Sequence, residues 1–260
     1  MTTSPPQALH PFLRVDGPAA FAHRGGAAEA PENTMAAFAH AVDLGYRHLE
    51  LDVRATADGE VVVFHDATLD RVTDATGRLR ARTLAQLDGV RVAGTEPVPR
   101  LADVLSAWPE VRVNIDPKED AVVAPLVELL GPGDLLDRVC VTSFSDRRLA
   151  RLRRAVGPRL CTALGPAAMA RLRLAASGVP TRRLRGGVAQ VPPRLRGVEL
   201  LDAAVVRTAH RLGIPVHVWV VDEAEEMERL LDLGVDGLMT DRPTVLRDVL
   251  RRRGLWPEAP

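Results

Sequence analysis

Residues 47–65 read RHLELDVRATADGEVVVFH. The stretch holds two β-like runs, 47–53 and 60–65, separated only by 54–59. Parallel strands need a crossover of a dozen or more residues, so these two runs pair as an antiparallel hairpin turning at Asp58-Gly59. With a turn centred on that dipeptide, His65 is predicted to stand opposite Asp52. Glu50 and Asp52 lie two residues apart on a strand, so their side chains project to the same side. The stretch is thus a strand that runs past its sheet and returns, bringing a histidine back beside strand-end carboxylates.

Outward from this hairpin the chain alternates short apolar runs with amphipathic segments, the pattern of a parallel sheet covered by helices. The predicted strands are 19–23, 47–53, 111–116, 138–143, 159–164, 187–191, 215–221 and 236–240. Helical patterns follow at 34–44, 101–107, 121–130, 145–155, 167–176, 202–212, 223–233 and 243–253. Asn33 or Thr34 can cap the first of these, and Gly45 ends it. Eight strand–helix units in 260 residues make an α/β protein, a single (β/α)8 TIM barrel with a β-hairpin extension after strand 2. The barrel is expected over 19–253, with an N-terminal extension at 1–18 and a short tail at 254–260.

A formal net charge of zero leaves no overall pull toward nucleic acid or an anionic membrane, so an anionic small molecule must be attracted by a few placed charges. The two cysteines are too few for a disulfide framework. No apolar run reaches the length of a membrane span and the start lacks the order of a secretory signal, so the expected location is cytoplasmic, without stable membrane insertion. One bias stands out. Of 34 basic side chains only Lys118 is lysine, and Asn33 and Asn114 are the only asparagines. Residues that survive such a bias are candidates for work that their usual substitutes cannot do, since Arg is a planar fork and Lys a point charge.

In a barrel of this kind the reactive groups gather at the carboxyl ends of the strands. Those ends supply His23-Arg24, Glu50-x-Asp52, Asn114-x-Asp116-x-Lys118, Ser143, Gln190, Trp219 and Asp241, with His65 on the hairpin. Glu50, Asp52 and Asp116 converging with an amide form an all-oxygen set suited to a hard divalent cation, Mg²⁺ or Ca²⁺. The competing arrangement pairs these acids with the abundant arginines. His23 and His65 offer the acid and base that phosphodiester cleavage requires near neutral pH. Gly25-Gly26 is expected to let backbone approach a ligand, and Arg24 and Lys118 to meet phosphate oxygens. His10, His40, His48 and His210 are read as structural or exposed, and His217 as packing.

The ordered set His23-Arg24-Gly25, Pro31-Glu32-Asn33-Thr34, Glu50-Leu51-Asp52-Val53, Asp58-Gly59, His65-Asp66, Leu69-Asp70-Arg71, Asn114-Ile115-Asp116-Pro117-Lys118, Ser143-Phe144, Val218-Trp219, Gly234-Val235-Asp236-Gly237 and Thr240-Asp241-Arg242-Pro243 resembles the glycerophosphodiester phosphodiesterase family. The likeness spans roughly residues 20–245. It implies a metal held at Glu50, Asp52 and Asp116, an acid–base pair at His23 and His65, and phosphate contacts at Arg24 and Lys118. Gln190 and Trp219 are further substrate-binding candidates. The implied reaction is hydrolysis of a small-molecule glycerophosphodiester to glycerol 3-phosphate and an alcohol, with either water or the neighbouring glycerol hydroxyl as nucleophile. Two departures bear on it: Asp116 stands where the family commonly has Glu, and Val220 where it commonly has Thr. Competing readings are a barrel acting on lysophospholipids or inositol phospholipids, and a catalytically silent phosphate-binding barrel. A charged 78–100 loop argues against the first and the presence of every acid and histidine against the second.

Overall fold

The computed structural model describes residues 9–257 apart from 132, 182, 183 and 196. Among them eight parallel strands make the barrel: β1 (Ala19–His23), β2 (His48–Ala55), β3 (Arg112–Pro117), β4 (Val139–Val141), β5 (Cys161–Thr162), β6 (Ala189–Val191), β7 (Val216–Val218) and β8 (Gly237–Thr240). They pair in the order β5–β4–β3–β2–β1–β8–β7–β6. The ring closes between β5 and β6 through a parallel bridge at Ala163–Val188, where the Leu164 N–H donates to the Val188 carbonyl (2.8 Å). The covering helices are α1 (Met35–Asp43), α2 (Leu101–Ala107), α3 (Val123–Leu130), α4 (Asp146–Val156), α5 (Pro166–Ala176), α6 (Ala203–Arg211), α7 (Ala224–Leu233) and α8 (Pro243–Arg252). Thr34, Ser145 and Asp202 cap α1, α4 and α6 by accepting from Ala37, Arg148 and Val205 N–H groups. No helix is long and apolar enough to cross a membrane, among the described residues.

The period of two on β2 and β3 sorts the two sides of the sheet. Leu49, Leu51, Val53, Val113 and Ile115 are buried in the layer shared with the helices. Their alternates His48, Glu50, Asp52, Asn114 and Asp116 are buried polar groups on the barrel-axis side. At the floor of the barrel, Phe21 packs on His48 and His217 with ring centroids 4.8 and 5.0 Å apart, so both histidines pack as expected. Phe12, 1% exposed, packs edge-on to His48, so part of the segment read as an extension belongs to the barrel floor. Trp256 of the tail stacks edge-on against Tyr46.

Burial pushes the floor histidines down, His48 to about 3 and His217 to about 4. Unfolded, each returns to about 6.5. Between about pH 4 and 6.5 the unfolded chain therefore binds more protons, so these groups make stability rise with pH through that window and contribute fully above it. His48→Leu is expected to flatten the acid limb of stability by up to about 1.4 kcal/mol per pH unit, read from denaturant midpoints at several pH values. An unchanged slope would mean that His48 titrates alike in both states.

The hairpin forms, with a register one residue from the expected one. Val53 pairs with Val63 and Ala55 with Val61, and the Phe64 N–H donates to the Asp52 carbonyl (2.9 Å), so Phe64, not His65, stands opposite Asp52. The cause is the turn. Ala57-Asp58-Gly59 is a three-residue loop closed by the Thr56 N–H to the Glu60 carbonyl (3.0 Å), with Gly59 at φ 87°. Beyond the hairpin the charged 78–100 region is more than a loop. Val62, Phe64, Leu69, Leu79, Leu87, Val90, Val92 and Val98 form a small apolar core of their own beside the barrel mouth.

Candidate active site

Strand pairing brings the predicted carboxylates together. Glu50 lies opposite Asn114 and Asp52 opposite Asp116 across β2–β3, while His23 lies opposite Glu50 across β1–β2. Asp52, with a side chain 1% exposed, is the hub. Its Oδ2 accepts from Asn33 Nδ2 (2.9 Å) and lies 3.1 Å from Arg24 Nε, and its Oδ1 lies 2.6 Å from Lys118 Nζ. Burial would raise Asp52, but Lys118 and Arg24 outweigh it and hold the carboxyl below its usual range. Lys118 also donates to Asp116 Oδ2 (2.7 Å), so its ammonium bridges two carboxylates. Glu119 and Asp120 are held instead by Arg54 and Arg148.

Glu50 accepts from the Arg24 N–H (3.2 Å) and lies 3.7 Å from His23 Nε2. Burial raises its carboxyl, and the neighbouring Asp52 and Asp116 charges add to the rise. Burial raises Asp116 as well, despite Lys118. Among the described residues no three His, Cys, Asp or Glu side chains close around one metal-holding point. Lys118 stands between two of the three acids. The donor set still fits a hard cation: three buried carboxylates share one mouth, and Asp52 Oδ1 carries no aligned hydrogen bond despite the nearby ammonium.

Each candidate histidine has a carboxylate on Nδ1. His23 Nδ1 lies 2.7 Å from Asp241 Oδ1, and His65 Nδ1 lies 2.5 Å from Asp66 Oδ1. Such a partner fixes the tautomer and leaves Nε2 for chemistry. Burial works against charging His23, but Glu50 and Asp241 outweigh it and hold the imidazole above its ordinary value. Asp241 was legible only as a strand-end residue, and its partnership with His23 spans the first and last strands. His65 is joined to the mouth through Asp66, Arg71, Glu32 and Arg24.

The scarce residues converge. Asn33 does not cap α1. Thr34 does, while Asn33 takes a left-handed φ of 59° and latches Asp52 by accepting from its N–H (3.3 Å) as well as donating to its carboxylate. Gly25 and Gly26 are required by packing: a Cβ on Gly25 would meet Ala37 at 2.7 Å, and one on Gly26 would meet Pro243 at 2.6 Å. Gln190 donates to Asn114 Oδ1 (3.0 Å) across the barrel, so its amide braces β6 against β3. Trp219 packs edge-on against Phe144 (5.5 Å) and lines a cavity of about 350 Å³ with Pro192, Pro193, Arg194, Val220 and Glu226.

Residues 23–245 match the glycerophosphoryl diester phosphodiesterase family. The chain belongs to that family. A Mycobacterium tuberculosis protein named "Probable glycerophosphodiester phosphodiesterase 2" is 38% identical, over 95% of this chain and 96% of its own. Rat lysophospholipase D GDPD1 is 32% identical, over 88% and 84% respectively. A Silicibacter pomeroyi protein, solved as a candidate glycerophosphoryl diester phosphodiesterase, superposes with a TM-score of 0.79 at 26% identity, over 95% of this chain and 98% of its own. Membership of a glycerophosphoryl diester phosphodiesterase family makes this barrel an enzyme of the phosphodiester-hydrolysing class, with the strand-end cluster as its candidate centre.

Proposed function

We propose that the protein hydrolyses glycerophosphodiesters to glycerol 3-phosphate and an alcohol at the mouth formed by β1, β2 and β3. The observation that carries this reading is the meeting of two carboxylate-backed histidines, two cations and three buried acids in a barrel of this family. Arg24 and Lys118 neutralise the phosphodiester so that an oxygen nucleophile can approach an anionic centre. One imidazole takes the proton of the nucleophile at Nε2, and the other gives a proton to the departing alkoxide. Asp241 and Asp66 hold the two rings by Nδ1. Glu50, Asp52 and Asp116 would hold a Mg²⁺ or Ca²⁺ ion, which when bound supplies Lewis-acid stabilisation of the phosphoryl oxygens. A bound cation would share Asp52 and Asp116 with the Lys118 ammonium, which lies 2.6 and 2.7 Å from them.

The testing experiment is release of glycerol 3-phosphate from glycerophosphocholine by the purified chain. A second reading, lysophospholipid cleavage, draws on Phe144, which is 68% exposed beside Trp219 and gives the rim an apolar edge for an acyl chain. Cleavage of lysophosphatidylcholine in preference to glycerophosphocholine would favour it.

Lys118→Arg tests the positive charge. One ammonium spans two carboxylates at 2.6 and 2.7 Å beside Arg24, and a wider planar guanidinium there is expected to displace one of its neighbours. The variant is expected to lose roughly 10²–10³ in kcat/KM, the usual cost of one positioned charge-stabilising donor. Near-native kcat/KM would show that any cation serves at this position.

A further inference from the structure

Arg71 stands outside the ring of strand ends and is about half exposed, yet its guanidinium holds two carboxylates at once. Nε donates to Asp66 Oδ2 (2.5 Å), while Nη1 and Nη2 grip Glu32 Oε2 and Oε1 (2.8 and 2.7 Å). Both acids are engaged again on their far sides. Asp66 Oδ1 meets His65 Nδ1, and Glu32 Oε1 accepts from Arg24 Nη1 (3.1 Å). Hydrogen bonding from Arg71 holds Asp66 down at about 2; at Glu32, Arg71 and Arg24 outweigh burial and keep that carboxyl below its usual range.

We propose that Arg71 is a positioning residue that couples the proton-transfer arm of the site to its phosphate-binding arm. This rests on the reading of His65 as an acid–base group and Arg24 as a phosphate ligand. The connected line runs His65–Asp66–Arg71–Glu32–Arg24–Asp52 and crosses from the hairpin side of the mouth to the buried carboxylates. Without Arg71, Asp66 is free to turn away from His65, and Glu32 loses the anchor that lets it aim the Arg24 fork. A lone exposed ion pair contributes little, but this one is bidentate to Glu32, whose side chain is 14% exposed. Lysine cannot replace it, because one ammonium cannot serve three diverging acceptor directions in a plane.

The experiment is steady-state kinetics of the full chain on glycerophosphocholine, with melting temperatures for every variant. Asp66→Asn is expected to lower kcat with KM little changed, and Glu32→Gln to raise KM with kcat little changed. Arg71→Ala is expected to do both, each by roughly 10–10²-fold, as small misplacements of reacting groups do. Arg71→Lys should behave like Arg71→Ala, and Asp66→Asn combined with Arg71→Ala should lower kcat no further than the worse single change. Millimolar guanidinium chloride should restore part of the Arg71→Ala activity, whereas methylammonium chloride should not. The proposal is overturned if Arg71→Ala or Arg71→Lys keeps both kcat and KM within about twofold of wild type. It is equally overturned if activity falls only in step with a lowered melting temperature and guanidinium does not rescue it. Failure of the underlying reading would look different: His65→Ala and Arg24→Ala would then retain activity, or the wild-type chain would release no glycerol 3-phosphate.

Discussion

Prolonged dialysis of the protein against a chelator is expected to lower glycerol 3-phosphate release by on the order of 10³-fold or more, the factor carried by several kcal/mol of Lewis-acid stabilisation. Mg²⁺ or Ca²⁺ should restore it. Glu50, Asp52 and Asp116 are all buried on the same side of two adjacent strands. Buried carboxylates in contact repel unless cations stand among them. Lys118, Arg24 and His23 meet part of that need, yet the carboxyls of Glu50 and Asp116 remain raised. A divalent ion would meet the remaining demand, and the all-oxygen donors would suit a hard one. Activity and metal content by elemental analysis check this together. Full turnover in excess chelator, with no metal found, would leave the three acids as a structural cluster held by lysine and arginine.

His23→Ala is expected to lower kcat by roughly 10²–10⁴-fold, the range for a positioned general acid or base, with KM changed far less. His23 ends β1 and is oriented from one side by Asp241 at 2.7 Å, while Nε2 points toward Glu50 at 3.7 Å. The groups proposed to bind phosphate, Arg24 and Lys118, are anchored to Asp52 and keep their places without the imidazole. Binding and proton transfer should therefore separate in the kinetics. His65→Ala is expected to behave in the same way. Wild-type kcat in His23→Ala, with an unchanged melting temperature, would reduce His23 to a structural partner of Asp241.

The elements were legible because their signals are local. Strand and helix periods show in a few residues, and a strand-end position follows from the strand itself, which is why Glu50, Asp52, Asp116, His23 and Arg24 could be named along the chain. Composition reached further than spacing did. Asn33, Asn114 and Lys118 all sit in the site, although the side chains that each engages were concealed. Of the two cap candidates Thr34 caps the helix and Asn33 latches Asp52, and Lys118, expected to meet phosphate, also bridges Asp52 and Asp116. Asp66, Arg71 and Glu32 lay inside recognisable motifs, yet nothing in their spacing says that they meet.

The amino-acid sequence by itself determined the eight-fold alternation, the hairpin after the second strand, the family, and the acids and histidines at the strand ends. Each of these is set by residue periodicity, by turn chemistry or by a string of motifs. Only the tertiary structure decided the hairpin register, because Asp58-Gly59 is compatible with loops of two or three residues and one residue of difference exchanges His65 for Phe64 opposite Asp52. Only it decided the partners of the charged groups. Asp241 reaches His23 because barrel closure sets the last strand beside the first, with Ala22 paired to Thr240. Glu32 reaches Arg71 because the loop after β1 and the excursion after the hairpin fold over the same mouth. Ion pairs act through space over a few ångströms, and a linear order of residues carries no distance between segments that only closure of the barrel brings together.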